Sequence, residues 1–342
     1  MQFASDTLAE CYGQLSSAVD PLFDDIREKL GGTYGTADQI AGHLSAEWAS
    51  RLGLRPGLPI PFPELDAHTD AVGAGIRLGD VVNVLGTSTC VMALSEHAAA
   101  ISGVSGVVSH SIHPKLVGIE AGLSACGAVF DAIAARSGRS LAALAAAVEK
   151  YRPGQSGLLR LPWDNGDRTI LADPNLRGLT LAWNLSHTAA DELFAAMEGT
   201  AFQTRIIIEH LGAHQVPARR VVNTGGLSQH IPALNQLYAD VLNLTVRVPD
   251  RTATGLGSAI FASVVGGAFA SVDAAQDALC PTYREYAPSA AAAAAYAPLY
   301  EAFRKMYFLL GDGRGVSKTF AGVLQTLRAV ARGASTVSVG FG

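Results

Sequence analysis

The sequence predicts an α/β fold. Three observations carry that expectation. From Asp66 onward, β-branched runs alternate with helical stretches, and glycine turns separate them. Apolar residues make up 49% of the 342, enough to bury a substantial core. Glycine occurs 36 times and alanine is abundant, which suits helices packed tightly on a sheet.

Residues 5 to 30 read as a helix, with Leu8, Leu15, Val19, Leu22, Phe23 and Ile26 at helical spacing and Gly31 and Gly32 as its stop. A short helical piece then starts at Thr36 and runs through Trp48 and Leu52. GLRPGLPIPFPEL holds four prolines, so it is an edge strand or an extended connector. VVNVLG and CVMALS pair as a hairpin around Thr87, Ser88 and Thr89, and VSGVVSHSIHPKLVGIE adds strand. LSACGAVFDAIAARSG and SLAALAAAVEKY are helices. After the loop LPWDNGDRTILADPNLRG, a long helix spans about His187 to His210. Ser186 or Thr188 caps it, and Leu193, Met197, Ala201 and Ile206 form its apolar face. VPARRVVNTGG is a strand entering a glycine turn, and PALNQLYADVL is a helix that accepts Pro232 in its first turn. LTVRVPD is a strand and TGLGSAIFASVVGGA a glycine-opened helix. The stretch after Leu310 changes texture and reads as a tail with a disordered end.

Composition excludes several classes. Charged residues are 16% and the net charge is -5 without blocks of one sign, so no basic stripe for nucleic acid is present. No apolar run reaches the roughly 18 to 20 residues of a membrane span. MQFASDTLAECYGQ lacks a basic segment followed by an apolar one, so no signal peptide is expected. Cys11, Cys90, Cys126 and Cys280 are scattered without a C-x-x-C pair and read as reduced, cytosolic thiols. Cys90 and Cys126 lie in apolar surroundings and read as buried.

Three motifs carry candidate chemistry. Asp66 sits in ELDAHTDAVGAG, a carboxylate followed by small residues that leave room for a substrate. Transfer of a phosphoryl group to a hydroxyl needs such a group to take the proton. A helix N-cap is the competing reading. A metal site is a third, because Asp66, His68 and Asp70 at i, i+2 and i+4 share one face of a strand. Gly86-Thr87-Ser88-Thr89 offers backbone N–H groups and hydroxyls to phosphate oxygens, against an ordinary hairpin turn. Gly225-Gly226, between strand and helix, lets backbone approach a ligand, with Asn223, Thr224 and Ser228 beside it to bond a nucleotide, against a plain strand-to-helix turn. Trp163, Asp164 and Asn165 form a polar-aromatic loop that reads as a surface turn, against a loop bordering a site. An acidic turn, a Gly-Thr-Ser loop and a strand–Gly-Gly–helix, in that order, are the parts of an ATP-dependent phosphotransferase.

As a set, LDAHTDAVGAG, LGTSTCVM, GIEAGLSACGAVFDAIA, NGDRTILADPNLRG, AMEGTAFQTRIIIEHL, VVNTGGLSQHIPALNQLYADVLN and TGLGSAIFASVVGGA resemble the FGGY carbohydrate kinases, an actin-like, ribonuclease-H-like ATPase group. The resemblance covers about Leu8 to Leu310. It implies a remnant of the first kinase domain over residues 1–68, the nucleotide-binding second domain over 69–310 and a tail over 311–342. It implies ATP-dependent phosphorylation of a ketopentose, L-ribulose to its 5-phosphate, with xylulose as the nearest rival. By resemblance, Asp66 is the catalytic base and Glu120 contacts the ketopentose. Gly86, Thr87 and Ser88 face the ATP phosphates, and Gly225, Gly226 and Asn235 take the adenosine. The helix from Gly255 flanks that pocket, and Mg2+ arrives with ATP. The family's Asp-rich, Gly-Thr opening motif has no counterpart here. The chain is therefore also expected to act as a nucleotide-binding half that needs a separate first-domain chain, or to self-associate through an exposed apolar face.

Overall fold

A computed structural model describes residues 35–97 and 99–311. The expected helix over 5–30, Cys11 and the tail over 312–342 lie outside the described residues.

The core is a seven-stranded sheet. Its first pair is the expected hairpin, β3 (Asp80–Leu85) against β4 (Thr89–Ser95), with Leu85 opposite Thr89 and Val81 opposite Ala93. β5 (Gly106–Ser109) and β6 (Val117–Leu123) continue the antiparallel half, and β6 pairs with β4. β7 (Leu159–Leu161) and β8 (Leu179–Leu181) form a separate antiparallel pair; β9 (Arg220–Thr224) lies parallel to β3, then β10 (Val246–Pro249) parallel to β9, and β11 (Tyr283–Tyr286) closes the edge antiparallel. The order is β11–β10–β9–β3–β4–β6–β5. Because β3 and β9 are parallel and in register at Val84 and Thr224, both run out at the same edge. The 86–88 turn and the 225–226 turn therefore sit side by side, where a ligand crevice forms in such sheets.

Strand alternation fills both faces. Val81, Val91, Ala93, Ile119 and Val221 face α3 (Gly127–Ser137), α4 (Leu141–Val148), α5 (Ala189–Ala213), α7 (Pro232–Leu242) and α10 (Ala290–Gly311). Val82, Met92, Leu94 and Val222 face α2 (Asp66–Gly73), α8 (Thr254–Val265) and α9 (Val272–Leu279). Thr188 caps α5 in a reciprocal box with Asp191, and Leu193, Met197, Ala201 and Ile206 are all buried. Pro232 is the first helical residue of α7, and Ser140 caps α4.

Four expectations are corrected. Thr36 does not start a helix: its hydroxyl bonds Asp38 in a local turn, and β1 (Ile40–His43) follows. Ser45 caps the helix that does form, α1 (Ala46–Leu52), while the proline-rich stretch supplies β2 (Pro59–Pro61) as partner of β1. Trp163 is not at the surface; it is fully buried, its ring 5.2 Å from that of Tyr307 on α10. Cys126 is buried as expected, and burial pushes its thiol up to about 11, but Cys90 is only half-buried. Residue 68, the expected domain boundary, falls inside α2, whose Ala71 and Val72 share one core cluster with Ala37 from the segment before it. Ile40, Trp48, Leu52, Leu54, Ile60 and Leu65, all before Asp66, are exposed.

Glu198, midway along α5, is 3% exposed and accepts a 2.8 Å hydrogen bond from the Gly154 N–H. Burial pushes its carboxyl up to about 8, against the pull of the Gly154 and Tyr296 donors. The folded chain thus holds this proton more tightly than the unfolded chain does. Its contribution to stability is complete below the ordinary glutamate value and is lost as pH rises through about 8. Calorimetry should show the melting temperature falling between pH 5 and 8.5, and Glu198→Gln should flatten that slope. An unchanged slope in the variant would assign the effect to other groups.

Candidate active site

A cleft of about 640 Å³ opens at the shared edge of β3 and β9. One wall is the 86–88 turn with the start of α3, a second is α4, and the third is α6 (Gly225–His230) running into α7. Ala142, Ala145 and Ala146 of α4 face Leu227, Ile231 and Pro232 across it. Small and apolar side chains on both walls leave a slot for a flat ring. Asp131 and Glu149 bring carboxylates, which accept hydrogen bonds, to the rim.

The turn at the cleft floor is held rigidly. The Cys126 and Gly127 N–H groups donate to Thr87 and Gly86 carbonyls at 2.9 and 3.0 Å. This docks the start of α3 on the turn and leaves the exposed Thr87 side chain facing the cleft. Gly225 follows with φ +82, and a Cβ there would lie 2.5 Å from the Leu85 carbonyl oxygen, so only glycine fits. Gly226 has open space at its Cβ position and lines the cleft.

The resemblance placed Asn235 against adenosine, but its amide is committed inside the protein. Asn83 donates to Asn223 at 3.1 Å, Asn223 to Asn235 at 3.1 Å, and Asn235 to the Ser228 carbonyl at 2.8 Å, with all three asparagines fully buried. Asn235 shapes the glycine turn from behind. Asn223, Thr224 and Ser228 are likewise buried, so the side chains expected to bond a nucleotide bond or pack against protein instead. The missed member was Asn83; the signal was the repeated VVN of β3 and β9, which the register sets side by side.

Asp66 opens α2. The N-cap position belongs to Leu65, which makes no side-chain cap bond, and Asp66 is exposed in the first turn, where the helix dipole favours a carboxylate. Its Oδ1 accepts from the Ala67 N–H at 2.8 Å. The strand-based metal arrangement fails because the segment is helical: Asp66 and Asp70 share a face and His68 projects elsewhere. Among the described residues no group of three or more His, Cys, Asp or Glu side chains is arranged to hold a metal. Asp70 is buried and accepts from the Thr254 hydroxyl of α8 at 2.7 Å. Burial pushes its carboxyl above the usual range, offset in part by the hydroxyls of Thr224 and Thr254. Asp70 thus joins the helix carrying Asp66 to the start of α8.

Glu120, on β6, faces α2, and its carboxylate meets His68 Nε2 at 3.3 Å. That hydrogen bond, more than the nearby Arg168 charge, holds it below the usual carboxylate range despite burial. Arg168, which the sequence reading passed over, reaches the sheet because Gly122 leaves its Cβ space empty. Its guanidinium donates to the Thr89 carbonyl at 2.5 Å. The structure therefore gathers Gly86, Thr87 and Gly226 at the cleft and sets Asp66 and Glu120 about the start of α2. It removes Asn235 from direct contact.

Residues 81–265 match the FGGY family of carbohydrate kinases, C-terminal domain. A ribulokinase of Shouchella clausii is 36% identical over 340 residues, covering 93% of this chain and 60% of that protein. A ribulokinase of Halalkalibacterium halodurans is 34% identical over 319 residues, covering 86% of this chain and 56% of that protein. Among solved structures, a xylulose kinase from Rhodospirillum rubrum matches with a TM-score of 0.71 at 26% identity, covering 82% of this chain and 57% of that one. A ligand-bound xylulose kinase from Lactobacillus acidophilus, 18% identical, matches in fold with a TM-score of 0.73 over 85% of this chain and 60% of that one. The chain spans about 60% of the length of the curated relatives it matches. The sheet order and these neighbours bear out the actin-like α/β expectation. The chain belongs to the FGGY family of carbohydrate kinases.

Proposed function

We propose that this chain carries ATP-dependent phosphorylation of a ketopentose, L-ribulose to L-ribulose 5-phosphate. The observation that carries the reading is the apolar cleft with the 86–88 turn at its floor, opening where β3 and β9 run out together, in a chain whose α2, headed by Asp66, packs on the other face of the same sheet. Adenosine occupies the cleft with its ring against the α4 alanines. The phosphates extend over Gly86, Thr87 and Ser88, and magnesium would enter with ATP as part of the MgATP substrate, neutralising phosphate charge. Asp66 takes the proton of the attacking sugar hydroxyl, and Glu120, kept ionised, accepts a second hydroxyl. L-ribulose is preferred over xylulose because the two relatives reported above, at 36% and 34% identity, are ribulokinases. The setting is cytoplasmic, where ATP is available, and no described helix is long and apolar enough to cross a membrane.

The test is ADP release by the full chain with MgATP and either L-ribulose or D-xylulose. Sugar-dependent release with a higher kcat/KM for L-ribulose is expected. Gly226→Val adds a side chain in open cleft space, so the fold should be kept while ATP affinity falls at least about tenfold, the order of one lost buried contact. The exposed apolar side chains between Ile40 and Leu65, next to Asp66, favour a second reading: a nucleotide-binding domain whose sugar site is completed by another chain or copy. ATP binding without sugar-dependent ADP release would select it.

A further inference from the structure

His68 lies two residues beyond Asp66, and its side chain is only 7% exposed. Both ring nitrogens are engaged. Nδ1 lies 3.0 Å from Glu64 Oε1 and 2.9 Å from the Ser111 carbonyl oxygen, and Nε2 lies 3.3 Å from Glu120 Oε2. A carbonyl oxygen and an ionised carboxylate only accept hydrogen bonds. Nδ1 must therefore carry a proton, and Nε2 must carry one to meet Glu120. The ring is an imidazolium by geometry. It ties the lead-in to α2 (Glu64), the turn before β6 (Ser111) and β6 itself (Glu120). Glu120 keeps 27% of its side chain exposed, so one side of the carboxylate is held while the other stays open.

We propose that His68 is a positioning residue for the sugar site, clamping Glu120 to Glu64 and to the first turn of α2 so that Glu120 and Asp66 keep a fixed separation. This rests on the reading that Glu120 and Asp66 face the sugar. The charged groups around the ring are Glu64 on the lead-in and Glu120 on β6, with Arg168 beyond Glu120 and Asp66 and Asp70 on the flanking turns of α2. Burial works against the charge on His68, but the hydrogen bonds to Glu120 and Glu64 and the charges of both overcome it, and the ring is held up at about 9. The clamp therefore stabilises the fold fully below the ordinary histidine value and is lost as pH rises through about 9.

Two measurements on the full chain test the proposal. In the first, ring-nitrogen NMR of histidine-labelled protein is recorded at pH 8, with the His68 signals assigned by their loss in His68→Gln. Both nitrogens should be protonated, and Glu120→Gln should return the ring to a single-proton form. A neutral ring in the native chain, or a doubly protonated ring indifferent to Glu120→Gln, overturns the clamp. The second is the split between KM and kcat. Losing a hydrogen bond to a charged group should raise the sugar KM about 10- to 100-fold in His68→Leu with kcat nearly kept, and His68→Gln, which still donates once, should fall between. A loss confined to kcat, or shared by the KM for ATP, overturns the positioning role. If the native chain shows no sugar-dependent turnover while the NMR result holds, the kinase reading fails and the clamp stands.

Discussion

Asp66→Ala is expected to cut sugar-dependent ADP release by about 10²- to 10⁴-fold, the range supplied by a positioned general base. The side chain is exposed in the first turn of α2 and makes no contact that the core needs, so the variant should fold normally. The cleft proposed for ATP is lined by the 86–88 turn and by α6 running into α7, and Asp66 is not among its lining residues, so ATP affinity should stay within about threefold, under 1 kcal/mol. Asp66→Asn keeps the shape and removes the base, so it should resemble the alanine variant in kcat. A hydroxyl proton taken by another group would leave Asp66→Asn near native activity. Steady-state kinetics on both variants, with a thermal melt to confirm folding, separates these outcomes.

Gly257→Ala is expected to destabilise the chain, by the roughly 1–3 kcal/mol typical of overpacking or more, while Gly255→Ala two residues earlier should be neutral or slightly stabilising. Helices α2 and α8 cross with their backbones touching. A Cβ at Gly257 would overlap the Thr69 carbonyl oxygen, and one at Gly73 would overlap the Ala253 carbonyl oxygen and lie 2.6 Å from the Gly257 nitrogen. The obstacles are backbone, so no side chain can swing aside and the helices must part. Parting them strains the 2.7 Å bond from Thr254 to Asp70 and moves the turn that carries Asp66. Activity should therefore fall along with stability. Gly255 has open space at its Cβ position and serves as the control on the same helix. At about 2–4 °C per kcal/mol for a domain of this size, a melting curve resolves the contrast, and equal melting temperatures for the two variants would refute the close crossing.

Much of this was legible in the sequence because the signals are local. The VVNVLG and CVMALS runs flank a three-residue turn and could only pair as the β3–β4 hairpin. Thr188 and Asp191 announce the start of α5, and the Gly225-Gly226 pair marks the β9 exit. What stayed hidden depends on pairing across the chain. Asn235 reads as a free polar side chain near a glycine turn until the β3–β9 register brings Asn83 and Asn223 against it. Trp163 reads as a turn residue until α10, more than a hundred residues later, covers it. The partner that matters for His68 is Glu120, 52 positions away, so i to i+4 spacing could show only Glu64. Gly255 and Gly257 look alike in TGLG, and only the α2 crossing tells them apart.

The most direct test of the central claim, that nucleotide binds at the shared edge of β3 and β9, is hydrogen exchange by mass spectrometry on the full chain with and without MgATP. Protection should concentrate in residues 86–89, in 127–149 and in 225–233, the three walls of the cleft. Protection absent from all three segments and concentrated elsewhere, such as the β1–β2 hairpin or α9 and β11, would contradict the account.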